Sequence, residues 1–158
     1  MSTEKPSPIR PTDDEARALA LGLLTEARFA AIGVLDPTTG APMVTRVAML
    51  WHAGAPLILI SELSLHTKAL TANPACSLLV GEPGPKGNPL THPRITVQAR
   101  AETADKSALR DIWLKAHPKA QLYFDFTDFV MMRLTPQEAH LNGGFGKAFH
   151  LTPDDLPQ

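Results

Sequence analysis

Ala16, Leu19, Ala20, Leu23 and Leu24 recur at i, i+3, i+4, i+7 and i+8, the spacing that lines one face of a helix. Just before them Thr12, Asp13, Asp14 and Glu15 form a T-x-x-E pattern, in which two side chains satisfy free backbone donors at a helix start. A helix ending near Ala27 is therefore predicted, its apolar stripe turned to a core. From Arg28 the period changes. "RFAAIGVL", "PMVTRVAMLWH" and "PLILIS" read as three strands, separated by the turn-rich "DPTTGAP" and "AGAP". Connections this short favour antiparallel neighbours, because parallel strands need a long crossover.

Beyond "SELSLHTKALTANP", two more strands are predicted in "ACSLLVGE" and "RITVQARAETA", joined by "PGPKGNPLTHP". Leu109, Ile112, Trp113 and Ala116 share one face of a second amphipathic helix, stopped at His117-Pro118. A helical turn around "KAQLYFDF" follows, and "DFVMMRLTPQEAHL" is a last strand or a pair of short ones. Many short strands with a few appended helices predict an α+β, mainly β fold built on a small antiparallel barrel. Residues 1–11, with three prolines among polar residues, read as a flexible leader. The folded domain is expected over 12–150, with 151–158 as a C-terminal tail.

Composition narrows the class. A chain of 158 residues, 44% hydrophobic and 20% charged, fits one globular domain. Its formal net charge of -1, without a run of either sign, argues against a general nucleic-acid surface. The N-terminus lacks the apolar core of a signal peptide and no stretch is long enough to span a bilayer. With a single cysteine, Cys76, an internal disulfide is excluded and a reducing, cytoplasmic compartment is expected. Cys76 lies in an apolar strand, where a small buried side chain is the plainer reading than a nucleophile.

Candidate chemistry lies where strands end and helices begin. Ser64 is a natural N-cap for a short helix over Leu65 to Ala72. Ser61 and Thr67 offer hydroxyls there, Lys68 a charge, and the helix end free N–H groups, together an anion site of phosphate size. Arg46 interrupts the apolar "MVTRVAML", where a charge is costly unless paired or beside a cleft. The plain alternative makes Ser64 a cap, Lys68 a solvated helix residue and Arg46 an exposed strand residue. The six histidines show no metal-ligand spacing, so no metal site is expected.

The ordered segments "TRVAMLW", "PLILISELSLHTKALTANPACSLLV", "PRITVQARAE", "HPKAQLYFDFTDFVMMRL" and "HLNGGFGKAF" resemble the pyridoxamine 5'-phosphate oxidase-like proteins. These have an FMN-binding split barrel, and the chain is most similar to their haem-utilisation branch. The resemblance implies a six- to seven-stranded antiparallel split barrel with flanking helices and a homodimer with flavin at the subunit interface. Arg46 matches the arginine on the FMN phosphate, and Val47, Ala48, Met49 and Leu50 match residues whose backbone runs beside the flavin ring. Ile60 and Ser61 match the pair near flavin and phosphate; Thr67 and Lys68 close the phosphate site, with His66 adjacent. Arg94 lies where oxidases place a glutamine at the flavin's polar edge. Asn142, Gly143, Gly144, Phe145 and Lys147 are placed to approach the partner's cofactor.

Trp51 stands where true pyridoxine phosphate oxidases carry a lysine, so that oxidation is not expected. The implied function is FMN-dependent oxidoreduction of a small substrate, with no side chain assigned as general acid or base. The alternative is a haem- or flavin-binding protein without turnover. For haem, a single axial histidine needs no sequence spacing, which leaves His66, His140 and His150 as candidates.

Overall fold

The computed structural model describes residues 7–158. In chain order the elements are β1 (Ile9–Arg10), α1 (Asp14–Glu26), β2 (Phe29–Leu35), β3 (Pro42–His52), β4 (Ala55–Ser61) and α2 (Leu65–Ala72). Then come β5 (Ala75–Val80), β6 (Arg94–Thr103), α3 (Arg110–Ala116), β7 (Phe129–Asn142) and β8 (Ala148–Leu151). Six strands close a barrel in the order β7-β4-β3-β2-β5-β6, with β6 returning to β7, and every neighbour is antiparallel. The expected α+β split barrel is present, extended to eight strands because β8 pairs with β7 and β1 pairs in parallel with β8.

Both added strands arise where the sequence predicted none. Ile9 and Arg10 belong to the expected leader, yet they pair with Ala148 and Phe149; the leader's residues 1–6 lie outside the described residues. The expected tail is likewise packed in. Leu151 and Leu156 are buried in the core, and the Trp51 indole donates to the Pro157 carbonyl at 3.0 Å. A four-residue strand is too short for its alternation to stand out.

At α1 the cap is Asp13, whose carboxylate accepts from the Ala16 N–H at 2.8 Å. Thr12, the first residue of the predicted capping box, instead donates its hydroxyl to the His150 carbonyl at 2.6 Å. In β7, Pro136 sits at a register shift, so that Gln98 faces Glu138 while Ala99 faces Pro136. The bulge absorbs a residue that cannot donate to the ladder, and one continuous strand of 14 residues results.

Alternation along the strands divides the core in two. Ile32, Met49, Ile58, Leu78, Ile95 and Leu134 fill the barrel, joined by Ala16, Ala20 and Leu24 of α1 and by Ala69 and Leu70 of α2. On the outer face Leu50, Leu57, Leu59 and Met131 meet Trp113, Ala120 and Phe124. Trp113 comes from α3, Ala120 from the helical turn Pro118–Leu122 and Phe124 from the segment just after it. Lys106 locks this cover down by donating to the carbonyls of Phe124, Phe126 and Phe129 at 2.9, 3.0 and 2.8 Å. Trp113 stacks on His117 with centroids 4.4 Å apart, and His117 Nε2 lies 2.9 Å from the Met49 carbonyl oxygen. The cover is thereby tied to β3.

Candidate functional site

The open part of the barrel lies beside the arginine that the sequence singled out. Pairing of β3 with β4 ends at Ala48 opposite Leu59, and continuing that register sets Arg46 against Ser61. Between the parting strands lies the first turn of α2. His66 Nδ1 is 3.0 Å from the Thr45 hydroxyl on β3, and the Thr67 hydroxyl donates to the Ser61 carbonyl on β4 at 2.5 Å. One turn of helix therefore spans the split, and Ala69 and Leu70 behind it anchor it in the barrel core.

Side-chain direction separates the predicted residues. Arg46, Ala48, Leu50 and Ser61 alternate with Val47, Met49 and Ile60, and these last three are buried inside the barrel. Only the backbone of Val47, Met49 and Ile60 can meet a ligand on the outer face, and Leu50 lies beneath Trp113 and Phe124. Thr67 is buried, and its one hydroxyl hydrogen is held by Ser61, so it cannot donate to an anion. Ser64 caps through its carbonyl, which accepts from Thr67 and Lys68, and its side chain makes no cap bond. That differs from the expected hydroxyl cap.

Arg46 is exposed, with its guanidinium 5.5 Å from the centre of the Phe29 ring. Beside it is an open pocket of about 490 Å³, lined also by Ala31, Leu79, Gly81, Glu82 and Arg28. Thr67 and Lys68 line a different recess of about 400 Å³, with Glu62 and Thr71. Arg46, with Arg28, and Lys68 therefore line separate recesses, and among the described residues neither Arg46 nor Lys68 forms a salt bridge.

The remaining candidates lie on β6, on β7 and in the β7–β8 turn. Arg94 faces Asn142 in the β6–β7 ladder, three strands round from β3. Its guanidinium donates to the carbonyls of Leu90 and His92 at 3.0 and 3.3 Å. Asn142 accepts from the Gly144 N–H at 2.9 Å and braces the β7–β8 turn, in which Gly143 donates to the Lys147 carbonyl and Phe145 is exposed. Within one chain Arg94 adjoins Gly81, which lines the pocket beside Arg46.

Sequence reasoning missed His117, whose role depends on a carbonyl far away in the chain. Burial holds His66 and His117 below the ordinary value of 6.5; for His117 the Met49 carbonyl opposes that effect and Arg28 adds to it. The unfolded chain therefore binds protons more tightly at these two sites than the folded one. Above pH 6.5 their contribution to stability is complete, and it declines as pH falls through 6.5 toward the lower folded-state values. The thermal midpoint should drop between pH 7.5 and about 5, and His117→Gln should flatten that drop. A profile of identical slope in the variant would count against this assignment.

Residues 14–143 match the pyridoxamine 5'-phosphate oxidase family. The chain belongs to that family. Within it, the chain is 39% identical over 99 residues to the chloroplastic haem oxygenase HOZ of Arabidopsis thaliana, covering 61% of this chain and 30% of that protein. It is 25% identical over 126 residues to the haem oxygenase HutZ of Vibrio cholerae, covering 74% and 70%. Among solved structures, a haem-binding protein from Mycobacterium smegmatis superposes with a TM-score of 0.81 at 26% identity, covering 93% of this chain and 60% of that one. The chain thus spans less than a third of the Arabidopsis protein in that match. These relatives bear out the expected position near the haem-utilisation branch. Among the described residues, no helix is long and apolar enough to cross a membrane.

Proposed function

We propose that this family member binds haem on the outer face of β3 and β4, with Arg46 and Lys68 pairing with the two carboxylates of the porphyrin. The observation that carries this reading is the separation of the two cations into adjacent recesses. A ligand with two carboxylates suits two separate cations better than one phosphate does. The apolar side chains of Phe29, Ala31, Ala48 and Leu79 give the ring a surface to cover. Haem supplies iron redox chemistry when bound; the chain's own residues bind, orient and desolvate. His66, whose neutral form burial favours, is held through Nδ1 by Thr45, which leaves β3 on the face opposite to Arg46.

The names of the relatives support the same ligand. A second copy is part of the proposal, with Asn142, Gly143, Gly144, Phe145 and Lys147 approaching the cofactor of the other subunit. Two equivalent sites then lie across a twofold axis. The single, buried cysteine supports a reducing, cytoplasmic setting.

Addition of haem to the purified protein should give a saturable shift of the Soret band. Arg46→Ala and Lys68→Ala should each weaken binding by about 1.5–3 kcal/mol, the range for a charge-assisted hydrogen bond. Unchanged haem affinity in both variants would remove the assignment. FMN-dependent oxidoreduction of a small substrate is the second reading, supported by the first turn of α2 between Arg46 and Ser61, where a phosphate meets helix N–H groups. A yellow protein that releases FMN on denaturation and gives no Soret shift would favour it.

A further inference from the structure

We propose that Glu138, His140 and His150 form a surface site for a divalent transition-metal ion, with zinc as the natural probe. The β7–β8 register places His140 directly opposite His150, so both imidazoles leave the sheet on the same face. Glu138, two residues before His140 on the same strand, returns to that face by the strand's own period. One potential ligand atom from each of the three lies within 4.8 Å of the others. His150 Nε2 is 3.7 Å from Glu138 Oε2, and the two imidazole centroids are 5.2 Å apart.

A salt bridge would need only His150 and Glu138. His140, across the ladder, adds a third donor and makes the set two imidazoles and one carboxylate. Around a tetrahedral ion with bonds of about 2.0–2.1 Å, donor atoms sit roughly 3.4 Å apart. Side-chain torsions therefore need to close any side of the triangle by at most about 1.4 Å. All three side chains are exposed, so they can do this without moving the backbone. Imidazole donors select zinc, nickel or copper over the oxygen-seeking calcium and magnesium. Three protein ligands leave a fourth position for water or an incoming group.

Across β6, Thr96 pairs with His140 and Gln98 with Glu138, and the cation in the adjoining recess, Arg94, donates to the Leu90 and His92 carbonyls. The site does not rest on the haem reading.

The test titrates the full-length protein with zinc chloride by calorimetry, with a chromophoric chelator as competitor. One ion per chain is expected, with a rise in thermal midpoint on saturation. His140→Ala and His150→Ala should each weaken zinc binding at least about tenfold and abolish that rise, and Glu138→Gln should weaken it several-fold. His52→Ala, at the end of β3, should bind as the parent does. The proposal is overturned if the parent takes up no zinc, if both histidine variants keep the parent's affinity, or if His52→Ala loses as much.

Discussion

Replacing Trp113 by alanine is expected to lower the unfolding free energy by about 3–5 kcal/mol. Trp113 is completely buried and is the largest side chain between the outer face of the barrel and its cover. Alanine would leave a void against Leu50, Leu57 and Met131 and take away the ring on which His117 stacks. The loss should reach the candidate site, since His117 is tied to the Met49 carbonyl beside Ala48 and Leu50. One feature opposes it: among the described residues the buried indole N–H has no partner, a defect that costs about 1–3 kcal/mol. Trp113→Phe, which keeps most of the volume and removes the orphaned donor, should therefore cost far less than Trp113→Ala. Urea unfolding of both variants checks this, and a loss below about 1 kcal/mol for alanine would contradict the burial argument.

Gly81→Ala is expected to destabilise the chain by roughly 2–5 kcal/mol, from left-handed strain together with overpacking. Gly81 has a φ of +113°, and an added Cβ would lie 2.5 Å from the Pro93 carbonyl oxygen and 2.8 Å from the Arg94 Cα. Both are backbone atoms, so no side chain can swing aside. The glycine lets the end of β5 approach the start of β6, and it also lines the pocket beside Arg46. Gly22 makes the contrast: it lies within α1 and an added Cβ would meet nothing within 4 Å. Gly22→Ala should stabilise by about 0.5–1 kcal/mol through helix propensity. Equal thermal midpoints for the two variants would refute the steric account.

The sequence announced the elements whose signals are local. α1 stands out by its five-residue stripe, β2 to β4 by apolar runs between proline and glycine turns, and α2 by a serine at its start. What escaped depends on distant partners. β8 needs β7 beside it, and nothing in "AFHL" says so. In α3 the predicted face included Ile112, yet Ile112 is exposed and Trp113 carries the burial, because seven residues give a face too short to fix its orientation. At the site, the sequence picked out the segments but could not tell which side of a strand each residue faces relative to the core. Val47, Met49 and Ile60 point inward for that reason, and the Thr67 hydroxyl is spent on Ser61, a bond visible only in three dimensions. Arg46 and Lys68 are exposed, and so is Arg28, which lines the same pocket as Arg46.

Cys76 lies inside the barrel, where burial pushes its thiol up to about 11 and the sulfur is 3.6 Å from the Ala99 carbonyl oxygen. At neutral pH only about one molecule in ten thousand would carry the thiolate that peroxides attack. Were haem bound as proposed, its iron would generate such oxidants as by-products. With its one thiol kept protonated and enclosed, the folded chain offers them no sulfenic acid to form and no sulfur with which to cross-link two copies.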